Sequence, residues 1–131
     1  MLHPGDVLAL RGELGAGKTA LTRSLVRCAL GSEDEEVPSP TFTLVQVYEA
    51  PSVQYWHFDL YRLQYPDEAL ELGIEEAFFE GISLIEWPER LGTWLPDDAL
   101  TVHLSICPSG ERRADFSGNA TWVRRLSEWG A

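Results

Sequence analysis

Lysine is almost missing from this chain: Lys18 stands alone among 131 residues, and arginine supplies the rest of the ten basic side chains. Against them stand 21 aspartates and glutamates, for a formal net charge of −11. A surface so short of base repels a nucleic-acid backbone instead of releasing its counterions, so composition argues against direct, unaided RNA binding. Between Arg62 and Arg90 there is no base, while Asp67, Glu68, Glu71, Glu75, Glu76, Glu80, Glu86 and Glu89 accumulate. Such a belt is a solvated helical face or a docking surface for a basic partner, and the sequence leaves both open. Cysteine is scarce too. Cys28 and Cys107 lie far apart without metal-ligand spacing, which predicts two buried thiols in a reducing cytoplasm and no disulfide. No apolar run approaches the roughly 20 residues of a membrane span, and no signal-peptide pattern opens the sequence. The expectation is a cytoplasmic protein with no membrane association.

What is present suits a folded chain. The length fits one domain over residues 1–131, and a hydrophobic fraction of 44% with 24% charged residues is ordinary for a globular protein. There are no repeats, low-complexity tracts or linkers. Val7 to Leu10 predicts a buried strand, and Leu21, Leu25, Cys28 and Ala29 recur at helical spacing from Lys18 to Leu30, with Gly31 as a stop. Thr41 to Tyr48 and Val53 to Asp59 predict a hairpin around Ala50-Pro51. Pro66, followed by Asp67 and Glu68, opens a helix that Gly73 interrupts. Ile82 to Glu86, Leu100 to Ile106 and Arg112 to Phe116 predict further strands, and Thr121 to Trp129 a last amphipathic helix. Strands alternating with helices, with hairpins mixed in, predict an α/β fold: a P-loop NTPase-like three-layer domain with a mixed β-sheet.

The lone lysine has a place in a pattern. Gly12, four residues, then Gly17-Lys18-Thr19 is the phosphate-binding GxxxxGK[ST] loop, here GELGAGKT. Gly12, Gly15 and Gly17 allow positive φ, so that backbone N–H groups can face phosphate oxygens. The helix that follows aims the positive end of its dipole at the same anion. Lys18 brings a compact charge on a flexible stem, which arginine's planar fork does not reproduce, and the Thr19 hydroxyl suits Mg²⁺. Glu13, Leu14, Ala16 and Ala20 complete the cradle, the last through its backbone N–H. The loop follows a predicted strand and precedes a predicted helix, the context the motif requires.

Hydrolysis needs a carboxylate near the metal, an oriented water and charge stabilisation at the γ-phosphate. Glu86 ends the apolar strand ISLIE, and Asp59 ends YWHFD as its rival for the metal. Thr41, after a proline-pinned loop, is a candidate γ-phosphate contact or an ordinary strand threonine. His57 is expected on the strand face opposite Asp59, as a structural histidine.

GELGAGKT, SPTFTLV, HFDLYRL, the ELGI segment at 71–74, LIEWPER and LPD, in this order and spacing, resemble the TsaE (YjeE) family over roughly residues 5–116. The resemblance implies a small ATPase needed to make threonylcarbamoyladenosine in tRNA. It implies ATP and Mg²⁺ as cofactors, and the transferase subunits TsaD and TsaB as partners, through which alone tRNA is reached. By position it implies Lys18 and Thr19 as the loop's lysine and threonine, and Glu86 as the magnesium-site glutamate. Asp59 matches the family's aspartate, Trp87 the tryptophan beside the glutamate, and Ser39 and Thr41 the loop residues. Ala20 replaces a frequent second threonine. The family's arginine after the late hairpin corresponds to Arg112 or Arg113. Family members usually carry a further N-terminal segment near the base, so that segment is missing from this sequence or the adenine contact is made differently. A small-molecule kinase would want an arginine-rich lid, which residues 63–89 do not supply; a non-catalytic ATP-dependent binding module shares the same cradle.

Overall fold

Short runs of branched and aromatic residues supply six strands among the described residues, and their burial separates central from edge positions. The computed structural model describes residues 2–13, 17–32, 36–38 and 43–129. The strands are β1 (Val7–Arg11), β2 (Val45–Glu49), β3 (Gln54–Asp59), β4 (Ile82–Glu86), β5 (Leu100–Ile106) and β6 (Arg112–Ser117). They form one mixed sheet in the order β2-β3-β4-β1-β5-β6. The four inner strands are parallel, while β2 and β6 pair antiparallel at the edges. β4 is buried at every residue and β6 is exposed at every residue. That is the pattern of a strand covered on both faces against one left open to water.

Helix α1 (Lys18–Leu30) and α3 (Ala120–Trp129) pack on one face, where Leu8, Leu10, Val26, Leu84, Val102 and Trp122 share a core. On the other face a 3₁₀ helix (Pro66–Leu72), helix α2 (Ile74–Glu80) and a 3₁₀ segment broken at Gly92 (Pro88–Trp94) cover Val7, Trp56, Phe58 and Ile85. Gly31 ends α1 at φ 69°, its N–H donating to the Arg27 and Cys28 carbonyls. The predicted helix at Pro66 is 3₁₀ and not α: Gly73 at φ 82° closes it and starts α2. The hairpin is present, with the Ala50 N–H on the Val53 carbonyl, but its strands are shorter than predicted. Residues 39–42 lie outside the described set. The cysteines are free but not buried: Cys28 is exposed and Cys107 intermediate, because Cys28 sits on the outer side of α1. No helix among the described residues is long and apolar enough to cross a membrane.

Helix α3 is clamped where the inner strands begin. Arg125 donates to both carboxylate oxygens of Asp6, at 2.9 and 2.7 Å, and its guanidinium lies 4.1 Å from the Trp122 ring centroid. The Trp122 indole donates to the Asp98 carbonyl at 2.7 Å, just ahead of β5.

Trp56 packs between two glycines. A Cβ at Gly81 would meet its Cδ1 at 2.6 Å and Nε1 at 2.7 Å, while the backbone there (φ −108°, ψ −176°) suits alanine. The cost of Gly81→Ala is therefore steric alone. The variant should lose about 1–3 kcal/mol, read in urea unfolding as a lower midpoint at unchanged slope. An unchanged midpoint would mean that the indole has room to move.

Candidate nucleotide-binding site

The site lies at the carboxyl ends of β1, β3 and β4, where ligands bind in open parallel sheets. β1 runs into Gly12, at φ 146°, and α1 starts after Gly17, at φ 105°. Both are conformations that a side chain resists. Leu14, Gly15 and Ala16, like Ser39 and Thr41, fall outside the described residues. Glu13 is exposed, and Ala20 is exposed in the first turn of α1. The strand–loop–helix order expected around the lysine is present.

Lys18 is 5% exposed. Its Nζ donates to the Gly12 carbonyl at 2.7 Å and lies 3.6 Å from the centroid of the Trp87 ring. Burial pushes its pKa below the ordinary 10.5, and the negative charges of Glu86, Glu89 and Asp59 work against that push. The ammonium thus meets one carbonyl and an aromatic face. Trp87 holds φ 60° and ψ 51°, a left-handed conformation unusual for a large side chain, as it turns β4 into the 3₁₀ segment. Tyr61 stacks at a tilt on Trp87, ring centroids 5.0 Å apart, and the Arg90 guanidinium lies 5.9 Å from Tyr61.

The Thr19 hydroxyl donates to the Glu86 carboxylate, 2.9 Å from Oε1 and 3.2 Å from Oε2. Glu86 is 3% exposed, and its Oε2 also meets Nε2 of the fully buried His57 at 2.6 Å. Asp59 is paired with Glu86 in register on the neighbouring strand, yet its Oδ1 accepts from the Tyr61 N–H at 3.2 Å. Between the two rival acids, Glu86 is the one in contact with Thr19. The expected position of His57 is wrong. Residues two apart on a strand share a face, so His57 and Asp59 both point toward α1. That spacing in the sequence was the signal that could have found it.

The two arginines after the late hairpin separate clearly. The Arg113 Nε donates to Asp115 at 3.1 Å on the exposed edge. Arg112 turns toward the loop: a Cβ built at Gly17 would be 3.8 Å from its Nε. The acidic belt is also visible, with Glu75 and Glu76 exposed on α2 beside Phe79, which is 81% exposed.

A hydroxyl and a carboxylate in contact form an oxygen donor set that fits Mg²⁺, which binds through one or two carboxylates while keeping several waters. Among the described residues no three His, Cys, Asp or Glu side chains converge into a closed metal cage.

A glycine-flanked loop leading from an inner parallel strand into a helix, on a mixed sheet covered on both faces, defines a P-loop NTPase-like fold. A family model described as "Threonylcarbamoyl adenosine biosynthesis protein TsaE" matches residues 1–114, and the chain belongs to that family, whose members serve tRNA threonylcarbamoyladenosine biosynthesis. A TsaE protein of Rickettsia bellii is 40% identical over 116 residues, covering 88% of this chain and 80% of that protein. One from Bacillus subtilis is 37% identical over 126 residues, covering 95% and 77%. The crystal structure of Bacillus subtilis YdiB superposes with a TM-score of 0.77 at 30% identity, covering 98% of this chain and 78% of that one.

The buried lysine generates a pH prediction. A protonated ammonium whose pKa falls on folding opposes folding. That opposition is complete below the folded value and fades as pH approaches 10.5, since in that window the unfolded chain binds more protons. Tyr55, whose pKa is raised first by burial and then by Cys28 and Asp6, acts in the opposite sense but is common to wild type and Lys18→Met. Denaturant unfolding of both proteins from neutral pH upward should show wild type gaining on the variant as pH rises. A difference constant with pH would show that the fold does not desolvate the ammonium.

Proposed function

We propose that this chain binds ATP with Mg²⁺ and hydrolyses it, weakly alone and faster when docked on the TsaD and TsaB subunits of a threonylcarbamoyl transferase complex. In this reading tRNA is reached only through those partners. The observation that carries it is the Thr19–Glu86 contact beside Lys18 at the start of α1. Membership of the TsaE family and the net charge of −11 support the division of labour. An acidic chain is unsuited to hold tRNA and suited to meet a basic protein surface.

Lys18 has a carbonyl to release, at Gly12, and in this reading its Nζ turns from that oxygen to the phosphates. Thr19 and Glu86 would hold the magnesium. When bound, the ion supplies positive charge to the phosphate oxygens. Asp59, next to Glu86 on β3, orients the attacking water or the waters around the metal. Arg112 contacts the nucleotide from the β6 side, and Trp87 covers Lys18 until phosphate replaces it. Arg90, on Tyr61, supplies no charge to the γ-phosphate, so intrinsic turnover is slow; a charge delivered by a partner is worth about 10³ to 10⁵ in rate.

Phosphate release is the direct test, with Lys18→Ala and Glu86→Gln alongside wild type. Lys18→Ala should lose nucleotide binding or turnover with the fold intact. Glu86→Gln should lose magnesium-dependent turnover while still binding nucleotide. Parental rates in both would remove the ATPase reading. Transfer of phosphate to a small molecule, without release, would make the chain a kinase.

The partner is tested by adding TsaD and TsaB across a salt series. Stimulation should weaken as salt rises, because exposed charges are screened beyond about 10 Å at 0.1 M. Charge reversal at Glu75 and Glu76 should reduce stimulation without changing ATP affinity. Equal activity with and without partners at every salt would leave the belt a solvated face.

A further inference from the structure

The Glu86 carboxylate has two tethers, and they differ in kind. Thr19 donates a single proton, nearer Oε1 at 2.9 Å than Oε2 at 3.2 Å. Oε2 is met at 2.6 Å by His57 Nε2, from a ring with no exposed surface. An ionised carboxylate only accepts, so the hydrogen of that contact sits on Nε2. The other ring nitrogen, Nδ1, is buried and has no hydrogen-bond partner among the described residues. A buried polar side chain left half-satisfied is uncommon, and it requires that the bond it does make be worth keeping. His57 is also fixed in backbone: it lies opposite Leu84 on β4 and Gln46 on β2, in the interior of the sheet. Thr19, by contrast, lies in the first turn of a helix that follows a glycine-rich sequence.

We propose that His57 is a positioning residue, whose Nε2–H holds Oε2 of Glu86 and so aims Oε1 at the Thr19 hydroxyl. The inference rests on the ATPase reading above, because it assigns a task to the same carboxylate. A hydroxyl that turns from Glu86 toward any other acceptor or ligand leaves the carboxylate with the imidazole alone. Without that tether, Glu86 is a flexible side chain with several rotamers at the end of a strand. Outer-shell partners of this type are worth about 10- to 100-fold in metal affinity or activity when removed.

The test uses the full chain with His57→Leu, His57→Gln and His57→Asn. The Gln side-chain amide can donate from about the position of Nε2, the shorter Asn amide falls short of Glu86, and Leu donates nothing. Thermal unfolding establishes that each variant is folded. A fluorescent ATP analogue is titrated without and with magnesium, and phosphate release is followed against magnesium concentration. Leu and Asn should bind nucleotide as wild type does without metal, yet require about 10-fold or more magnesium for half-maximal turnover, and Gln should recover most of that loss. Folded Leu and Asn variants with wild-type magnesium dependence overturn the proposal, as does a Gln variant as impaired as Leu. Wild type supplies a readout free of substitution: the His57 Nε2 nitrogen resonance should shift when magnesium is added to nucleotide-saturated protein, and a static resonance overturns the proposal. A wild-type chain that neither binds nor hydrolyses ATP removes the ATPase reading and this inference together; an active wild type with unaffected variants removes this inference alone.

Discussion

The contact between the Thr19 hydroxyl and the Glu86 carboxylate fixes where helix meets sheet, and much of the site's arrangement follows from it. Thr19 is one residue into α1, and Glu86 ends the buried inner strand β4. Holding the two together sets the start of α1 at the ends of the parallel strands. It also brings Lys18 against Trp87, the residue after Glu86. A carboxylate 3% exposed is costly unless it is hydrogen-bonded, and here both of its oxygens are. Polar groups that would burden an ordinary core are kept in this one because they satisfy each other.

Much of this was legible in the sequence, and the legible parts share a cause. Gly12, Gly17, Gly31 and Gly73 all adopt positive φ, so each marked a real change of direction. Ile82 to Glu86 reads as a buried strand because nothing in it but Ser83 and the final acid is polar. The parts that did not come through depend on the third dimension. Cys28 falls at an apolar helical position, yet α1 turns it outward, since periodicity specifies a face only to within the width of its stripe. The segment from Pro66 to Leu72 has helix-start chemistry, but it winds as 3₁₀ before closing at Gly73, a difference in winding that composition does not encode.

The choice between adjacent or rival residues was likewise a matter of facing. Arg112 and Arg113 are equivalent as letters. On a strand they point to opposite sides, and pairing with the sheet turns Arg112 to the loop and Arg113 to Asp115. Glu86 and Asp59 both end strands, and only the position of α1 over β4 brings the first to Thr19. His57 could have been placed correctly by counting two residues along its own strand.

The clamp between Asp6 and Arg125 joins positions 119 residues apart. Asp6 precedes the strand that launches the phosphate loop, and Arg125 lies in the last helix. During synthesis the first of these residues leaves the ribosome long before the second, at roughly 5–20 residues per second. Through that interval β1 lacks its clamp, and for most of it β1 also lacks one or both of its parallel neighbours β4 and β5, which are made after it. The strand that leads to the lone lysine is thus translated among the first parts of the chain and completed in its contacts among the last.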